Sequence, residues 1–79
     1  MSSARVLIYT REGCHLCAEA ESKVAHICEE LELDFTTVDI DTDPELRAEY
    51  GDRVPVIMVD GREHCFFRVE EKRLRAALE

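Results

Sequence analysis

Tyr9-Thr10-Arg11-Glu12-Gly13-Cys14-His15-Leu16-Cys17 joins two different periodicities. Before it, Arg5-Val6-Leu7-Ile8-Tyr9 is a continuous, partly β-branched apolar run, the pattern of a central strand covered on both faces. After it, Cys17, Ala20, Val24, Ile27 and Leu31 recur three or four positions apart, which predicts a helix from Cys14 to about Glu32. Thr10 to Gly13 is the turn between them. The two cysteines therefore sit where a strand hands over to a helix, and the chemistry is expected there.

Moving outward, Asp34 to Ile40 alternates Thr36, Val38 and Ile40 with Phe35, Thr37 and Asp39, which predicts a second strand, more polar and nearer an edge. Asp43-Pro44-Glu45 offers an N-cap, a proline at the first helical position and an early acid, and Gly51 offers a stop, so a short helix lies between. Val54-Pro55-Val56-Ile57-Met58-Val59 is a third strand. Asp60-Gly61 is a two-residue hairpin signal ahead of a fourth strand from about Glu63 to Val69. Glu70 to Leu78 closes the chain as a helix with Leu74, Ala77 and Leu78 on one face. A right-handed crossover makes the first two strands parallel, and the hairpin makes the last two antiparallel. The expected fold is α/β, a single domain over residues 1–79 of order β-α-β-α-β-β-α, with a four-stranded mixed sheet flanked by helices in the thioredoxin-like layout. Pro55 has no N–H for a sheet ladder, so it belongs at a strand start or a turn, cis peptide included.

Seventy-nine residues, 46% of them hydrophobic, are enough for one small core. The formal charge of -8 repels nucleic acid and anionic membrane surfaces, so neither is expected as a partner. No apolar run reaches the length of a membrane span, and Met1 to Tyr9 has too short an apolar segment for a signal peptide, which makes the cytoplasm the expected compartment. In that compartment Cys14, Cys17, Cys28 and Cys65 are expected as redox, metal-binding or buried thiols rather than permanent disulfides.

A helix start offers unpaired backbone N–H groups and a partial positive charge, both favouring a thiolate at Cys14. Cys17, three residues on, returns to nearly the same face one turn deeper. Arg11 and His15 add positive character nearby and Glu12 opposes them; His15 is equally readable as a solvated polar residue. A Cys-x-x-Cys pair also forms half of many zinc sites. Against zinc, His26 and Cys28 lie about 200° apart around a helix, and His64 and Cys65 face opposite sides of a strand. Cys28 reads as a small buried hydrophobe and Cys65 as a packed or half-buried thiol, with a Cys28–Cys65 bridge as the alternative. Tyr50 and Phe66-Phe67 read as core or hairpin packing.

The whole pattern resembles the glutaredoxin family. Tyr9-Thr10-Arg11-Glu12-Gly13-Cys14-His15-Leu16-Cys17 is similar to its Tyr-Thr-Lys-x-x-Cys-x-x-Cys, Val54-Pro55 is similar to its Thr-Val-Pro, and the Asp60-Gly61 hairpin follows. The resemblance implies a thiol–disulfide oxidoreductase with Cys14 as nucleophile, Cys17 as resolving cysteine, and Pro55 as a cis-proline opposite the thiols. Val54 would dock the substrate chain, Arg11 would stand for the family's glutathione-binding lysine, and His15 would border the substrate. It implies no resident cofactor. Substrates would be disulfide-containing proteins or low-molecular-weight thiols, a reductase or glutathione would donate electrons, and the chain would act as a monomer. Two departures stand out: His15-Leu16 replaces the usual aromatic between the cysteines, and Phe67-Arg68-Val69-Glu70-Glu71 lacks the Gly-Gly that cradles glutathione. Two rival readings use the same thiols, a metal or iron–sulfur carrier and a redox-sensing or partner-binding module without turnover.

Overall fold

The computed structural model describes residues 5–79; residues 1–4, the start of the stretch whose apolar segment is read above as too short for a signal peptide, lie outside the described residues. Strand β1 spans Val6–Thr10, helix α1 His15–Leu31, β2 Phe35–Asp39, α2 Pro44–Tyr50, β3 Val56–Val59, β4 Arg62–Phe66 and α3 Glu71–Leu78, with a single 3-10 turn at Ile40–Thr42. The sheet runs β2-β1-β3-β4. β1 is parallel to β2 and antiparallel to β3, and β3 is antiparallel to β4.

Position in the sheet follows side-chain character. β1 and β3, the two apolar strands, lie inside, whereas β2, with its exposed threonines, forms an edge. Val6 and Ile8 of β1 meet Ile57 and Val59 of β3, and the same core takes Ala20, Val24, Ile27 and Cys28 from α1 and Leu74 and Leu78 from α3. Each fully buried isoleucine or leucine contributes roughly 1.5–3 kcal/mol by leaving water, which is how a chain this short holds its fold.

The expected stops and turns are local chemistry. The Asp43 carboxylate accepts the Glu45 N–H at 2.9 Å, Pro44 opens α2, and the Gly51 N–H closes it on the Arg47 carbonyl at 2.9 Å. Asp60 and Gly61 both take positive φ, 52° and 83°, which the two-residue turn between antiparallel strands requires. Arg5 clasps that turn: its guanidinium donates to the Asp60 carboxylate at 3.0 and 2.9 Å and to the Leu78 carbonyl at 3.0 Å, joining β1, the hairpin and α3. These hydrogen bonds hold the Asp60 carboxyl below its ordinary range.

Four details differ from the sequence reading. Cys14 is the N-cap of α1, one residue before the helix. β2 ends at Asp39, because Ile40 turns into the core. Ala77 is exposed although its neighbours Leu74 and Leu78 are buried. The largest difference is at β4, which stops at Phe66 instead of reaching Val69. The β3–β4 register slips between Ile57 and Met58, and Phe67 takes φ 66°, so strand alternation ends there. Val69 is buried, but Phe66 and Phe67 face solvent instead of packing in the core.

Candidate active site

Three elements converge at one end of the sheet. β1 ends at Thr10, and the turn with Gly13 at φ 77° delivers Cys14 to the start of α1. The antiparallel pairing of Tyr9 with Val56 brings the start of β3, and therefore Val54-Pro55, to that same end. Tyr9 stacks on Tyr50 with ring centroids 4.5 Å apart, and the Arg53 guanidinium lies over Tyr50 at 5.5 Å. The loop before β3 is thereby fastened against β1. Pro55 is buried, Val54 is half-buried, and the peptide bond between them is cis, as the resemblance implied.

The two sulfurs have unlike surroundings. Cys14 is partly open to solvent, and its Sγ accepts the backbone N–H of Cys17 at 3.1 Å, in the position where a serine or aspartate oxygen usually caps a helix. Cys17 is only 2% exposed. Burial is the main force pushing its thiol up to about 12; the hydrogen bond with Cys14 adds to the rise, and a hydrogen bond from the Arg11 backbone works against it. The outer sulfur meets solvent while the inner one stays a protonated thiol.

An open groove of about 650 Å³ surrounds the pair, lined by Arg11, Glu12, Cys14, His15, Cys17 and Glu21 among others. His15 is exposed on its rim. Arg11 reaches the rim but its guanidinium is engaged elsewhere, donating to Asp41 at 3.2 and 3.4 Å and to the Gly51 carbonyl at 3.4 Å. Asp41 also pairs with Arg47 at 3.5 Å. Sequence reasoning missed Asp41, which lies 30 residues beyond Arg11 with no local signal linking them. Val54 and Pro55 share the sheet end with Cys14 but do not line its groove.

The remaining cysteines are apart from this site. Cys28 is buried in the core, Cys65 is half-buried against it, and all four cysteines are free thiols. Burial raises both of these thiols as well. His26 is exposed and pairs with Glu30 at 3.6 Å, away from the cysteine pair. Among the described residues no three His, Cys, Asp or Glu side chains gather as a metal-holding group, and no helix is long and apolar enough to cross a membrane.

Residues 5–79, nearly the full chain, match the glutaredoxin-like domain family (DUF836). The chain belongs to this family. An uncharacterized protein of Mycobacterium tuberculosis is 44% identical over 81 residues, covering 96% of this chain and 84% of that protein. Among solved structures, the X-ray structure of the structural-genomics target protein XcR50 from X. campestris is 38% identical with a TM-score of 0.77, covering 92% of this chain and 93% of that one. A thioredoxin from Fasciola hepatica is 26% identical with a TM-score of 0.60, covering 92% and 75%. The glutaredoxin-like chain thus has the thioredoxin-type α/β fold that its strand and helix order implied, and its Cys14–Cys17 pair is consistent with a redox role.

Proposed function

We propose that this glutaredoxin-like protein is a dithiol–disulfide oxidoreductase that reduces protein disulfides or mixed disulfides in the cytoplasm, acting as a monomer. The observation that carries the reading is the asymmetry of the pair: a half-exposed Cys14 sulfur receiving a helix-start N–H, above a buried Cys17 thiol. That asymmetry separates the nucleophile from the resolver.

Cys14 thiolate attacks one sulfur of the substrate disulfide; the S–S bond breaks, the other substrate sulfur leaves as a thiolate and takes a proton from water, and Cys14 is joined to the substrate. Cys17 then loses its proton and attacks Cys14 Sγ, releasing the second substrate thiolate and leaving a Cys14–Cys17 disulfide. Two electrons have passed from protein to substrate. A thiol or dithiol reductant, glutathione or a reductase, restores the pair. The Cys17 thiol suits its role: protonated in the reduced protein, it does not compete for substrate, and a sulfur of high pKa is the stronger nucleophile once ionised. Arg11 and His15 border the incoming substrate, and the Val54 backbone beside Pro55 docks its chain.

The test is a pair of single substitutions. Cys14→Ser abolishes disulfide reduction, whereas Cys17→Ser still attacks but accumulates a protein–substrate mixed disulfide, seen as an added mass that a reductant removes. Full activity in Cys14→Ser refutes the assignment. Failure of the native protein to reduce any disulfide favours the sensor or partner-binding reading.

A further inference from the structure

Phe66 and Phe67 are 45% and 43% exposed, and their rings meet edge to face at 5.0 Å. They are the large hydrophobic side chains left open to solvent among the described residues. A contiguous exposed aromatic patch is a contact-surface candidate, because burying it against a partner takes apolar area out of water.

Their location connects them to the cysteines. The Phe67 N–H donates to the Pro55 carbonyl at 2.9 Å, which fixes the turn after β4 to the segment that opens β3. Phe67 and Arg68 form one wall of a narrow groove whose other wall is Leu16, Glu19 and Lys23 of α1. Leu16 is one of the two residues between the cysteines. Leu16 therefore links the Phe67 groove to the cysteine-bearing start of α1. With Lys23 and Arg68 against the one acid Glu19, this groove is net positive on a chain whose formal charge is -8.

The same turn is ill suited to glutathione. Here both backbone donors are already paired internally, the Phe67 N–H to Pro55 and the Arg68 N–H to the Phe66 carbonyl at 2.8 Å. A carboxylate arriving there finds no free N–H from either residue and only the Lys23 and Arg68 side chains, which an acidic peptide side chain uses equally; what glutathione lacks is an apolar group to cover Phe67.

We infer that, given the oxidoreductase reading above, the preferred substrate is a disulfide in an extended protein segment whose cysteine is flanked by a large apolar residue and an acid, not glutathione disulfide. The apolar side chain packs on Phe67 and Leu16, with Phe66 supporting the Phe67 ring from its edge, and the acid faces Lys23 and Arg68. Phe66 and Phe67 are thus specificity-determining residues for the peptide beside the reacting sulfur, outside the sulfur chemistry itself.

Prereduced protein is mixed in single turnover with three probes: glutathione disulfide, bis(2-hydroxyethyl) disulfide, and the disulfide-linked dimer of a short peptide carrying Leu and Glu beside its cysteine. A control peptide has Ser and Gln there. The expected second-order rate constant for the Leu-Glu peptide exceeds those for the control peptide and for glutathione disulfide by about tenfold. The Phe66→Ser/Phe67→Ser variant removes that preference, slowing the Leu-Glu peptide about tenfold more than bis(2-hydroxyethyl) disulfide. Glutathione disulfide reacting as fast as the Leu-Glu peptide overturns the inference, as does a variant that slows every probe by the same factor. A native protein that reduces bis(2-hydroxyethyl) disulfide but treats both peptides alike sinks this inference alone; one that reduces none of the probes sinks the oxidoreductase reading with it.

Discussion

Cys17 offers the sharpest quantitative test. Its thiol is raised from the ordinary 9.0 to about 12, and its surface is 2% exposed. At neutral pH an ordinary thiol of that starting value is ionised to ~1 part in 10², whereas one at about 12 is ionised to ~1 part in 10⁵. Ionisation alone therefore slows alkylation of Cys17 by ~10³ relative to an ordinary cysteine, before burial is added. The perturbation is iodoacetamide applied to the reduced protein across pH 6 to 11, with each cysteine followed by peptide mass spectrometry. Cys14 is labelled first, and Cys17 lags it by at least ~10²-fold at neutral pH, gaining rate steadily as pH climbs through the whole range. Because burial is the largest cause of the shift and Cys14 only a lesser one, Cys14→Ser leaves Cys17 slow. Equal labelling of the two cysteines at neutral pH refutes the division between nucleophile and resolver. So does a Cys17 that becomes ordinary in Cys14→Ser.

Ile8→Ala, at a fully buried site on the interior strand β1, should cost about 2–5 kcal/mol, read as a fall in urea midpoint at unchanged slope; a loss under about 1 kcal/mol means that the core collapses around the gap. Stability should also fall in alkali. Cys17, Cys28 and Cys65 all have folded-state values above the ordinary 9.0, so the folded state holds more protons than the unfolded one in this window. Their contribution is complete below pH 9 and is lost as pH rises above it, for Cys17 toward about 12. Thermal unfolding under reducing conditions reads this as a melting temperature that declines above pH 9, less steeply in Cys17→Ala; a flat profile to pH 11 contradicts it.

Most of the scaffold was legible because its signals are local. Val6 to Tyr9 shows an interior strand, although only its Val6 and Ile8 face is fully buried while Leu7 and Tyr9 stay partly exposed; the Cys17-to-Leu31 spacing shows one helical stripe, and Asp43-Pro44 and Asp60-Gly61 are read by their own hydrogen bonds and φ angles. The cysteine pair was legible for the same reason, since a strand-to-helix turn is visible in sequence. Phe66 and Phe67 were misread because their fate depends on a slip in the β3–β4 pairing, where His64 is left without a partner, and on a positive φ at a non-glycine residue, neither of which leaves a local mark. Asp41 was missed for a related reason: its hold on Arg11 exists only after β1 and the segment following β2 are brought side by side.

The clasp that Arg5 makes on Asp60 and Leu78 lies at the end of the sheet remote from Cys14, since Val6 pairs with Val59 there while Thr10 leads toward the cysteines. One pole of the protein is a mechanical fastening and the other carries the chemistry. The fastened pole is therefore a natural handle. A resin or surface linker attached at exposed Arg62, beside the hairpin tip, would present every immobilised molecule with its cysteine pair outward, and a Cys17→Ser protein held that way becomes an oriented affinity matrix for whatever disulfides it attacks.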